Sequence, residues 1–195
     1  PTMTGWQLTR AMRSWSWPGC EGQETEVEVY ARADSVELFV NSQSVGKKSM
    51  KGRCRALFRT AYHDGELTAV SYDASGKEIG RDTLCTAGQK TELRMEAESE
   101  NCAPGEMVYF RIRCTDENGE TKPMEKQTVT VTTENGTLMG TVNGSCSYRG
   151  NFTGNVVPTY FGEAQAIVCA GAPGVIRVTA RSAGYEATAE VLCKG

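Results

Sequence analysis

Short stretches in which apolar and polar residues alternate, each closed by Gly, Asn, Asp or Pro, recur along this 195-residue chain. Period-two alternation buries one face of a strand and wets the other, whereas an amphipathic helix needs a period near 3.6. The helical period is nearly absent, which restricts the chain to antiparallel β architecture. Val36, Leu38 and Val40 mark the clearest inward face.

In the first half the pattern predicts strands over residues 26–31, 35–41, 53–61, 66–72 and 78–84. Asp64-Gly65 and the run from Asp73 to Gly76 tolerate positive φ, so both are predicted to be hairpins. A polar interval over 86–90 then places a boundary between domains 1–88 and 89–195. The second half predicts strands over 91–97, 107–114, 127–133, 163–170, 174–180 and 187–193, with Asp116-Glu117-Asn118-Gly119 as its strongest turn. About seven short strands in roughly 100 residues is the immunoglobulin-like pattern. The expected fold is all-β, two tandem immunoglobulin-like β-sandwich domains. Residues 135–158, rich in Gly, Asn and Ser, are expected to form a long loop on the second sandwich.

Composition narrows the function classes. With 21 basic against 24 acidic residues, the net charge of −3 offers no field to gather a polyanion, so nucleic acid is not an expected partner. No apolar run approaches the roughly 18 residues of a membrane span, and no targeting pattern opens the chain, so no membrane partner is expected either. Its start at Pro1 fits a segment excised from a larger protein. The eight cysteines show no C-x-x-C spacing. Cys54, Cys114 and Cys193 share strand parity with apolar neighbours, and each reads as a small buried hydrophobe and a free thiol. Free thiols favour a reducing, cytoplasmic setting.

Several motifs in one order carry a resemblance. Trp15-Ser16-Trp17-Pro18-Gly19, Val27 to Tyr30, Ser35 to Asn41, Leu67 to Asp73 and Asp82 to Gly88 together resemble the module that follows the catalytic barrel in bacterial glycoside hydrolase family 2 enzymes of β-galactosidase type. Where family members often carry Asn-Gly, this chain has Asn41-Ser42. The second half, through Phe110-Arg111-Ile112, Asp116 to Gly119, Gly136-Thr137-Leu138 and Gly162-Glu163-Ala164, resembles a bacterial immunoglobulin-like or invasin-like domain.

The resemblance implies that the two catalytic glutamates lie on a preceding (β/α)₈ barrel, and retaining hydrolysis needs such a pair about 5–5.5 Å apart. Glu26, Glu28, Glu66 and Glu163 alternate with apolar residues and read as solvated strand faces, so no catalytic residue is expected here. His63, the single histidine, reads as an exposed hairpin tip. Asp116-Glu117-Asn118 lacks the EF-hand spacing and reads as a turn, so neither a metal nor a cofactor is expected. Lys47, Lys48, Lys51, Arg53 and Arg55 read as a solvated cluster across a loop and a strand start. Asn135, Asn143 and Asn151 begin glycosylation-type triplets, coincidental in the bacterial protein that the resemblance implies.

Trp6, Trp15 and Trp17 are the candidate contact residues. An indole stacks on a sugar face as readily as it fills a seam between domains, and on a strand Trp15 and Trp17 would share one face. Packing is favoured over sugar contact. The leading expectation is a pair of non-catalytic accessory domains that brace the upstream catalytic domain of the same polypeptide or shape access to its cleft. A carbohydrate-binding module and an invasin-like spacer are the alternatives.

Overall fold

The computed structural model describes residues 11–195, and Trp6 lies outside them. Among the described residues all regular structure is strand, fifteen in all, in two compact units that divide between Thr86 and Ala87. The all-β expectation holds.

In the first unit β2 (Ser35–Val40), β3 (Gln43–Ser49), β5 (Glu66–Tyr72) and β6 (Glu78–Cys85) form a sheet ordered β3-β2-β5-β6. It faces a two-stranded sheet of β1 (Glu24–Tyr30) and β4 (Arg55–Ala61). Val36, Leu38 and Val40 enter a core with Ala56, Phe58, Met50 and Leu67. Strand β3 replaces the loop expected around Lys47 and Lys48. Its polar composition hid it, because an edge strand is kept soluble by lysine rather than by an apolar face. The β2–β3 turn is Asn41-Ser42, flanked by the paired Val40 and Gln43. Both turn residues have positive φ, 49° and 65°, the backbone of a type I′ hairpin.

Two further expectations are corrected. Asp64-Gly65 is not a hairpin, because β4 pairs with β1 while β5 pairs with β2 and β6. The chain crosses there from one sheet to the other, and His63 sits on the crossing. Cys54 is exposed, since β4 begins one residue later and strand parity does not reach it. The Asp73 to Gly76 turn does join adjacent antiparallel strands, with the Asp73 carboxylate accepting from the Ser75 and Lys77 amides.

The second unit stacks two fuller sheets. One is ordered β12-β10-β14-β15-β8, from β8 (Asn101–Cys102), β10 (Thr128–Glu134), β12 (Val156–Pro158), β14 (Gly174–Ser182) and β15 (Tyr185–Cys193). The other is β11-β13-β9-β7, from β7 (Glu92–Ala97), β9 (Met107–Thr115), β11 (Gly136–Val142) and β13 (Glu163–Ala170). Val108, Phe110, Ile112 and Cys114 of β9 meet Val129, Val131, Ile176 and Val178 of the facing sheet in one core. Strands β11 and β12 occupy much of the expected 135–158 loop. The glycines and threonines of β11 and the three-residue length of β12 hid both strands, and only pairing with β13 and β10 makes them visible.

Asp116 is the polar anchor of this unit. It is buried, and its carboxylate accepts from the amides of Gly88, Asn118 and Glu120 at 2.8–2.9 Å. Burial works against its charge, yet the three amides outweigh burial and hold its pKa below the ordinary 3.8. The turn reading of Asp116 to Asn118 therefore has a physical cause, since the carboxylate accepts from the amides of its own turn.

Candidate functional site

The two-stranded sheet of the first unit is too narrow to cover the four strands opposite it. The uncovered part is a cavity of about 650 Å³. Leu38, Leu67, Ala69 and Leu84 line one wall, Val27 and Val29 the other, and residues 11–15 and 17 complete the lining. Both described tryptophans line it, and they do so differently.

Trp15 is buried, only 2% exposed, and its Nε1 donates to the His63 carbonyl at 2.9 Å. Its ring lies 4.9 Å from that of Tyr62. The Tyr62 hydroxyl donates to Asp64 at 2.7 Å and accepts from the Trp17 amide at 3.1 Å. Thr86 closes the knot, donating to the Trp15 carbonyl at 2.8 Å and accepting from the Gly65 amide at 3.0 Å. Burial raises the Tyr62 pKa, so the phenol stays protonated as a donor. The crossing at residues 62–65 is thus what seizes the leading segment. Sequence reasoning did not single out Tyr62, Asp64 or Thr86; the available signal was a tyrosine beside a turn aspartate, two groups able to satisfy each other when buried.

Trp17 is half-buried against the same core and keeps part of its indole toward the cavity. Residues 11–23 contain no strand, so Trp15 and Trp17 do not form the shared strand face expected of them. At the rim, Arg13 bridges to Asp82 at 2.8 Å. His63 Nδ1 meets Glu21 at 2.8 Å, and that hydrogen bond, then the Asp64 amide, lowers the Glu21 pKa. Of the four glutamates considered for chemistry, three are engaged with arginines, Glu26 with Arg59, Glu28 with Arg55 and Glu163 with Arg111, while Glu66 is exposed at the start of β5. Glu28 is more covered than a solvated face implies, because Arg55 and Tyr30 both bind it.

The basic cluster divides among separate partners. Lys47 lies over the Tyr72 ring at 3.6 Å, while Lys48 donates to the Leu57 carbonyl. The amides of Asn135 and Asn143 are likewise used inside the fold, donating to the Ala172 and Pro158 carbonyls. Among the described residues no group of three or more His, Cys, Asp or Glu is placed to hold a metal ion.

Tandem sandwiches with a sewn-in leading segment define a structural accessory region. The chain belongs to the glycoside hydrolase family 2 C-terminal domain 5 family, whose model matches residues 91–190, just over half of it. Residues 22–80 match a domain of unknown function, DUF4982. The chain is 28% identical over 184 residues to the beta-galactosidase BoGH2A of Bacteroides ovatus, covering 91% of this chain and 21% of that protein. A glycosyl hydrolase family 2 member from Bacteroides cellulosilyticus matches with a TM-score of 0.84 at 28% identity, over 94% of this chain and 24% of that one. A beta-glycosidase from Bacteroides vulgatus shares the fold, with a TM-score of 0.84 at 22% identity, over 93% of this chain and 24% of that one. The chain thus spans about a fifth to a quarter of these relatives and is a non-catalytic accessory region.

Proposed function

We propose that this region braces a family 2 glycoside hydrolase that cleaves a β-linked glycoside of the β-galactoside type, with the catalytic carboxylates in the upstream domain of the same polypeptide. The carrying observation is that the match to glycosidases extends over nearly all of this chain and only a small part of theirs. The Trp15, Tyr62 and Thr86 knot supports the bracing role, since it holds chain running into the sandwich at a fixed place. The buried free thiols of Cys102, Cys114 and Cys193 support a reducing compartment.

The test uses the longer polypeptide beside this chain alone. This chain should leave a chromogenic β-galactoside untouched. The longer protein should hydrolyse it, and Trp15→Ala should lower its thermal inactivation temperature more than its KM. Turnover by this chain alone, lost on changing one of its own glutamates, would refute the assignment.

A second reading, carbohydrate binding in the first unit, rests on the Trp17 indole within the cavity. It requires saturable oligosaccharide binding by this chain that Trp17→Ala abolishes at unchanged melting temperature.

A further inference from the structure

Cys102 and Cys193 lie at opposite ends of the second unit's sequence, yet they are directly paired residues in the parallel ladder of β8 and β15. Backbone bonds fix that register: the Lys194 amide donates to the Cys102 carbonyl at 2.8 Å and the Leu192 amide to Glu100 at 3.2 Å. Both cysteines are buried, 7% and 2% exposed, in the same core. Paired residues on neighbouring strands point to one face of the sheet. The two thiols are therefore side by side.

The spacing suits a covalent bond. Adjacent strands stand about 4.8 Å apart, inside the window of about 4.4–6.8 Å between the Cα atoms of a disulfide. The Cβ atoms must approach to about 3.8 Å, a shift of roughly an ångström from strand spacing. Strand β8 can supply it, because it is two residues long and ends its sheet. The remaining cysteines of this unit lack such a neighbour: Cys114 pairs with Leu93, and Cys169 with Thr137 and Met107. Cys146 lies outside the strands and is exposed.

We propose that Cys102 and Cys193 form an oxidisable dithiol, which a disulfide oxidant, small-molecule or enzyme-bound, converts to a bond locking β15 to β8. One cysteine gives up its proton, and its thiolate attacks a sulfur of the oxidant. That forms a mixed disulfide and releases the first oxidant thiol. The second cysteine, deprotonated in turn, attacks the protein sulfur of the mixed disulfide and expels the other oxidant thiolate. Two protein thiols are oxidised by two electrons, the oxidant disulfide is reduced to two thiols, and the two protons pass to those products. Burial raises the Cys102 pKa, and the adjacent Cys193 raises it further. The reaction is therefore slow at neutral pH, accelerates in base, and needs the short β8 strand to open.

The bond would close a loop carrying most of the second sandwich, and a cross-link that long restricts the unfolded chain strongly. The experiment starts from the fully reduced chain incubated with oxidised glutathione at about pH 8.5, followed by intact mass and non-reducing peptide mapping. The expected product is lighter by about two mass units, with the bond mapped between Cys102 and Cys193. Its second-unit melting temperature should rise by on the order of 10 °C. Dithiothreitol should reverse both changes, and Cys102→Ala and Cys193→Ala should each abolish the rise. Stable glutathione adducts on either cysteine, a bond to a different cysteine, or a linked product no more stable than the reduced chain would overturn the proposal. Because the mapping is done on the unaltered sequence, poor folding of a variant leaves the test decisive.

Discussion

The two units bury their cores in different ways. In the second, a five-stranded and a four-stranded sheet cover each other, and the buried set is mostly Val, Ile, Ala and Cys from strand interiors. In the first, two strands oppose four, and Trp15 and Tyr62 join the core from outside any strand. Their indole and phenol are amphipathic, so each fills apolar space while its polar atom is satisfied, the Trp15 Nε1 by the His63 carbonyl at the sheet crossing and the Tyr62 hydroxyl by the Asp64 carboxylate and the Trp17 amide. A sandwich with matched sheets is closed by its own strands, whereas an unequal one must recruit a neighbouring segment.

The largest expected effect tests this dependence. Trp15→Ala should cost the first unit about 3–5 kcal/mol, through lost burial and a vacated core. In urea unfolding followed separately in each unit, the first transition should move and the second should stay. A concerted shift of both would break the comparison.

Asp116 makes the converse case for the second unit. Asp116→Ala should cost about 2–3 kcal/mol at neutral pH, because the Gly88, Asn118 and Glu120 amides lose their acceptor. The folded carboxyl titrates below its ordinary value. Its stabilisation is therefore complete above the unfolded pKa of about 3.9 and is lost as pH falls through the folded one. Melting curves of the two proteins should converge only in acid below about pH 4.

Gly65→Ala should cost the first unit about 1–2 kcal/mol, since φ is +122° and an added Cβ would lie 2.0 Å from Asn41 Oδ1. The cost should shrink in an Asn41→Ser background, which removes that oxygen, as chemical denaturation would show. The smallest effect has the opposite sign. Ser42→Gly should stabilise the first unit by about 0.5–1 kcal/mol, because the positive φ of Ser42 suits glycine better. An unchanged denaturation midpoint would show that the hairpin does not carry that strain.

Residue order alone determined what is local. Val36, Leu38 and Val40 had to face inward once a strand formed, because side chains alternate every residue. Glu66–Tyr72 is the strand the alternation predicts, and the Asp116 turn follows from an acceptor two residues before backbone amides. Tertiary structure decided whatever depends on which distant segments meet. Asp64-Gly65 looks like a hairpin in sequence, but pairing partners make it a crossing, and that crossing captures Trp15. Strands β3 and β11 are too polar or too small to reveal themselves until a neighbour supplies the ladder. The Cys102 and Cys193 pairing lay hidden for the same reason: parallel register between strands at opposite ends of a unit is set by the closure of the whole sandwich, and no local pattern encodes it.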